Sequence, residues 1–144
     1  MSNRPVNPPG WPMPKGYVNA VAARGEHIFV AGQVGWTAEQ RFEAKDLAGQ
    51  VAQALRNTVE VLAAAGAGPR HIVRMTWYVT DKREYMAQLG EIGRAYREIL
   101  GRHYAAMTLV EVAALLEGDA KIEIETTAVI PDEDRAPAKE GAAP

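Results

Sequence analysis

The chain has 144 residues, 47% of them hydrophobic and 24% charged, with a net charge of −2 and no cysteine. A chain of that size fits one domain, and it buries about 68–70% of its unfolded surface without covalent staples. The charge gives no electrostatic footprint for nucleic acid or an anionic membrane, and the absence of thiols excludes disulfides, thiolate nucleophiles and Cys-bound metal.

Residues 2–15 carry Pro5, Pro8, Pro9, Pro12 and Pro14. That density forbids helix and removes ladder donors, so an extended lead-in is expected. No apolar leader core stands there, and no run approaches the ~20 apolar residues of a membrane span, so a cytoplasmic location is the simplest expectation. Tyr17–Ala23 and His27–Ala31 read as strands joined by the turn Arg24-Gly25-Glu26 in a hairpin. The glycines that follow, Gly32 and Gly35, predict a bulge or a close approach of another group.

The spacing of Leu47, Val51, Ala54, Leu55, Thr58 and Leu62 predicts a helix over Asp46–Ala65, with Asp46 as N-cap and Gly66 just past the end. Its other face, with Gln50, Gln53, Arg56, Asn57 and Glu60, is expected to meet water. Pro69 separates it from a strand over His71–Val79 whose large side chains on both faces suggest a central strand covered twice. A second helix is expected from about Arg83 to Leu100, with Tyr85, Leu89, Ile92, Tyr96 and Ile99 as its stripe and Gly101 as its stop.

Two stretches near the end, Thr108–Val112 and Lys121–Val129, alternate with period two, with a Gly-Asp turn between them. In the second, Ile122, Ile124, Thr126 and Ala128 share one face, and Glu123, Glu125 and Thr127 the other. Strands disfavour glutamate and an unpaired buried carboxylate is costly, so that face must meet water, a partner chain or a polar cleft. From residue 132 on, an acidic, Ala- and Pro-rich tail is expected to be disordered.

The order is thus β-β-α-β-α-β-β, an α/β (α+β) fold in which two helices cover one face of a mixed sheet. The second face, which presents Trp77 or Tyr78, Leu109 and several Val and Ala residues, needs a cover, and a second copy of the chain is the economical one. No phosphate loop, nucleophile elbow or HExxH motif occurs. His27, His71 and His103 each stand alone, which suits surface or capping residues better than metal ligands. The three tryptophans do not interleave with basic residues, and Arg97 and Arg102 complement the dipole of the second helix.

Tyr17-Val18-Asn19-Ala20-Val21, Ile28-Phe29-Val30-Ala31-Gly32-Gln33-Val34 and Val110-Glu111-Val112 through Lys121-Ile122-Glu123-Ile124-Glu125 resemble the Rid/YjgF/YER057c/UK114 family over about residues 15–130. The resemblance implies a chorismate-mutase-like single domain over 1–131, a homotrimer with clefts between subunits, and imine or enamine hydrolysis without cofactor or metal. It places Tyr17, Gly32, Gln33, Met107, Thr108 and Glu123 at the cleft. Tyr17 offers a hydroxyl, Gly32 a backbone group, and Glu123 a general base for water. Met107 stands where family deaminases carry an arginine that clamps the substrate carboxylate, and methionine neither donates a hydrogen bond nor balances charge. Leu109 stands where some members carry cysteine, and Gly93 where many carry asparagine. Two functions follow: a hydrolase of related small metabolites in an inter-subunit cleft, or a non-catalytic trimer that binds a metabolite or serves a regulatory or chaperone-like role.

Overall fold

The computed structural model describes residues 3–135, and within them the proline-rich start is more than a lead-in. Arg4–Val6 (β1) pairs antiparallel with Ala20–Ala22 (β2) as a two-stranded ribbon, with Pro5 opposite Val21. A ribbon edge tolerates proline because the missing N–H faces no partner. The Asn7 side chain closes the ribbon, accepting at 2.9 Å from both the backbone N–H and the side-chain amide of Asn19. The hairpin expected between Tyr17–Ala23 and His27–Ala31 therefore does not form. The long strand Glu26–Val34 (β3) joins the main sheet instead, where Ile28 and Val30 reach the core.

Leu47–Ala64 forms α1, capped as expected by Asp46, whose carboxylate accepts from the Gly49 N–H. Its apolar stripe is buried, and Thr58 satisfies its hydroxyl by donating to the Ala54 carbonyl at 2.8 Å. At the other end Gly66 adopts φ 80. The polar face is not all wet. Gln50 is 1% exposed: its amide nitrogen donates to the carbonyls of Ala44 and Asp119, and its oxygen accepts from the Lys121 N–H at 2.8 Å.

After Ile72–Val79 (β4) the expected second helix divides into Lys82–Ala87 (α2) and Leu89–Leu100 (α3). The break falls at Gln88, which turns its side chain to α1 and accepts from the Ala48 N–H at 2.8 Å. Glu84 accepts from the Leu47 N–H and pairs with the Lys121 ammonium at 2.9 Å. Three side chains thus satisfy the first-turn donors of α1, a set that every helix leaves open. One continuous helix is given up for the cap of another.

Ala106–Glu111 (β5) and Ile122–Ile130 (β6) complete a four-stranded sheet in the order β3-β6-β4-β5. β6 is antiparallel to both its neighbours, and β5 runs parallel to β4. All three helices lie on one face, over buried Val30, Met75, Trp77, Val79, Ile122, Ile124 and Ala128. Trp77 and Leu109 belong to this face, and Tyr78 to the other. β4 is central but covered once only within the chain: Arg74, Thr76 and Tyr78 lie open beside Glu123, Glu125 and Thr127. Phe29, opposite Thr127, is 77% exposed there.

The tail expected from residue 132 is anchored at its start. Pro131 is buried, Asp132–Asp134 make a 3-10 turn, and Asp134 meets both Arg70 and the buried His71 at 3.1 Å. His71 Nδ1 accepts from the Gly68 N–H, so its Nε2–H is the donor to Asp134. Residues 136–144 lie outside those described. Among the described residues no helix is long and apolar enough to cross a membrane.

Gln50 is the polar pin between α1 and the start of β6. Gln50→Leu removes the part-buried hydrogen bonds to the Ala44 and Asp119 carbonyls and from the Lys121 N–H and is expected to destabilise the fold by about 1–3 kcal/mol. Urea unfolding of wild type and variant at matched concentration measures this.

Candidate functional site

Apart from Thr108, the residues singled out in the sequence fall into two groups, one at a bulge in β3 and one around a cavity beside α3. The first is built on a bulge. The register between β3 and β6 shifts between Val30 and Gln33, so Ala31 and Gly32 bow away from the ladder. The bowed backbone comes against Glu123: a Cβ on Gly32 would stand 2.8 Å from the Glu123 carboxyl carbon and 2.9 Å from Oε1. A side chain there would have to push the Glu123 carboxylate aside, so the bulge and the close approach suggested by the glycines are one feature. Glu123 is half-buried on the open sheet face, opposite Tyr78, and Tyr78 donates to Glu125 at 3.5 Å. Gln33 spends its amide on the Ala31 carbonyl at 3.1 Å, which braces the bulge.

The second group surrounds a cavity of about 490 Å³ between α3 and the β4–β5 edge. Met107 and Leu109 form its floor, and the chain from Lys15 to Tyr17 closes one side. That chain is held in place because the Val18 N–H donates to the Ala105 carbonyl at 3.0 Å and Val18 bridges Ala106 in parallel. Gly93 and Arg97 line the helix side. The deep wall is aromatic. Tyr96 and Tyr104 stack with centroids 5.6 Å apart, and Trp77 lies 6.4 Å from Tyr96. Burial, with the neighbouring Tyr104 phenol adding, pushes the Tyr96 pKa up to about 12. Its hydroxyl therefore remains neutral and donates to the His103 carbonyl at 2.7 Å.

Tyr17 and Met107 thus come together, as do Gly32, Gln33 and Glu123, but the two groups do not meet within one chain. Thr108 joins neither. It points to the open face opposite Thr76, two strands across from Glu125, or about 10 Å at ordinary strand spacing. Sequence reading missed Arg97 and Trp77 as cavity residues. For Arg97 a signal was present, since it stands one helical turn after Gly93, but helix-dipole compensation explained it equally well.

The family profile described as Endoribonuclease L-PSP matches residues 12–130. The chain belongs to the Rid/YjgF family. A RutC family protein of Aquifex aeolicus (strain VF5) is 32% identical over 122 residues, which span 84% of this chain and 96% of that protein. TdcF of Escherichia coli (strain K12), whose provisional name is reactive intermediate deaminase, is 29% identical over 108 residues, 73% of this chain and 80% of its own. Among solved structures, the Rid family protein YyfB of Yersinia pestis, a protein of unknown function, superposes with a TM-score of 0.79 at 34% identity, covering 90% of this chain and 100% of that one. Rv2704 of Mycobacterium tuberculosis, from the YjgF/YER057c/UK114 family, gives 0.60 at 32% identity over 80% of this chain and 87% of that one. The family and the mixed-sheet fold expected from the sequence are met.

The contact between Gly32 and Glu123 makes a local test. In Gly32→Ala the new Cβ displaces the end of a flexible side chain rather than backbone. Stability is expected to change by less than about 1 kcal/mol, while the Glu123 carboxylate moves off the bulge. A crystal structure of the variant, or the carboxyl carbon resonance of Glu123, reads the displacement.

Proposed function

We propose that this Rid-family chain assembles as a homotrimer and hydrolyses an imine or enamine of a small metabolite in clefts between its subunits, without cofactor or metal. The observation that carries the reading is the division of the cleft residues between two sides of one sheet. Glu123 and Gly32 lie at the edge of a face that no helix covers, while Tyr17 and Met107 border a cavity on the other side. Docking that open face on a second copy would set the carboxylate of one subunit against the cavity of the next. It would also bury Phe29 and the open row of β4.

In this reading the half-buried Glu123 carboxylate takes a proton from water as its oxygen adds to the C=N carbon. The nitrogen gains a proton, the C–N bond of the resulting carbinolamine breaks, and a carbonyl and ammonia leave. Water is the only co-reactant: C=NH and H₂O become C=O and NH₃. Gly32 offers backbone close to Glu123, Gln33 braces that loop, and Tyr17 and Thr108 offer hydroxyls. Met107 is an apolar wall. The name of TdcF agrees with this chemistry. RNA fits less well, despite the family's description, because a net charge of −2 gives no electrostatic track for a phosphate backbone. Met107 in place of a carboxylate clamp is the observation that favours the second reading, a trimer that binds a metabolite without turning it over.

The test couples the protein to a pyridoxal-phosphate dehydratase that generates the imine and follows keto-acid release, with light scattering for the trimer. Glu123→Gln is expected to lower turnover by about 10²–10⁴-fold, the range for a lost general base. The short substrate 2-aminoacrylate is expected to be handled poorly, since a missing charge-assisted clamp costs roughly 2–5 kcal/mol, and Met107→Arg is expected to improve it. A stable monomer, or turnover untouched by Glu123→Gln, would overturn the proposal. Binding without turnover of any imine would favour the second reading.

A further inference from the structure

Arg97 stands on α3 one turn beyond Gly93, and residues four apart are neighbours on a helix surface. Its Nη1 comes within 3.2 Å of where a Gly93 Cβ would be, so the guanidinium lies over the gap that Gly93 leaves in the cavity wall. Among the described residues the Arg97 side chain has no ion-pair partner. Lys15 adds a second cation, and no Asp or Glu lines the cavity. Trp77, which also lines it, is 1% exposed, and its indole N–H has no hydrogen-bond partner among the described residues. A buried donor left without an acceptor is costly. Two cations, one orphan donor and no carboxylate together call for an acceptor carrying negative charge.

We propose that Arg97 is the anion anchor of this cavity, and that its ligands are carboxylates with an aromatic or similarly bulky apolar body. This rests on the cavity being the small-molecule site. The guanidinium enters from the helix wall rather than from position 107 on the sheet. A carboxylate paired with it leaves the rest of the ligand over Met107, Leu109 and the stacked Tyr96 and Tyr104 rings. A two- or three-carbon acid cannot cover that apolar floor. The volume of about 490 Å³ suits a larger ligand, since small-molecule sites run roughly 300–1,000 Å³. Guanidinium suits the task because its fork meets both carboxylate oxygens, which an ammonium does not.

Arg97 also sits in the last turn of α3, where a cation complements the helix dipole. The dipole role affects stability and is blind to the ligand, so selectivity separates the two. The experiment titrates full-length protein by calorimetry with 3-phenylpropionate, its neutral isostere 3-phenylpropionamide, and acetate. Wild type is expected to bind 3-phenylpropionate on the order of ten-fold tighter than the amide, a value set by charge-assisted bonding at a partly exposed arginine, and to bind acetate weakest. Arg97→Gln is expected to erase the preference for acid over amide while leaving amide binding in place, which shows that the site is still folded. Arg97→Lys is expected to keep part of it. An Arg97→Gln variant that retains the wild-type preference would overturn the proposal, as would wild type that binds none of the three probes or that prefers acetate. Glu123→Gln, run in parallel, removes a negative charge and should not weaken the preference for acid over amide. Failure of the hydrolytic reading then appears as unchanged turnover in Glu123→Gln, and failure of the anchor as unchanged selectivity in Arg97→Gln.

Discussion

A four-stranded sheet with every helix on one side is the constraint from which the rest of the molecule follows. A sheet has two faces, and a chain that covers only one must leave the other polar or give it to a partner. Here the open face is neither wholly polar nor wholly apolar. Glu123, Glu125, Thr76 and Arg74 share it with Tyr78, Val110 and a largely exposed Phe29. Such a mixture suits a contact that is packed in part and wet in part, and it puts strand glutamates where solvent or another protein surface can satisfy them.

The covered face depends on a polar clamp as much as on apolar packing. The N-terminus of α1 gathers Asp46, Glu84 and Gln88 around its open N–H groups, and Gln50 and Glu84 tie that same end to Lys121 at the start of β6. Apart from the local Asp46 cap, these bonds join residues 37 to 71 positions apart. Buried polar networks of this kind set register, because any slip leaves groups unpaired. The break between α2 and α3 falls at Gln88, whose side chain serves this same cap.

The cavity owes its shape to that division and to the sizes of the residues facing it. α3 leans over the β4–β5 edge with a glycine at position 93, and β5 presents methionine and leucine at 107 and 109. With no side chain at 93, the wall leaves room for the Arg97 guanidinium to lie across it. Aromatic stacking then keeps the deep wall rigid, with the Tyr96 hydroxyl tied to backbone.

Local pattern was enough for α1 with its cap, for the extents of β4 and β6, and for the inward set Ile122, Ile124, Thr126 and Ala128, because periodicity and capping act within a few residues. The resemblance carried by residues 15–130 supplied the family, the overall fold and the six candidate site residues. What local pattern could not reveal is pairing across distance. β2 turns to the proline-rich start instead of to β3 because Asn7 and Asn19 close a loop that no period announces. Gln50 reads as a wet residue in its helix and becomes a buried pin only when Ala44, Asp119 and Lys121 arrive around it. The same holds at the site: Tyr17 meets Met107, Glu123 meets Gly32, and the two sets part company according to which sheet face each strand position occupies. Arg97 gains its place from the absence of a side chain one turn away and from the strand that happens to lie opposite. Neither is visible along the chain, since both depend on atoms brought near only by packing.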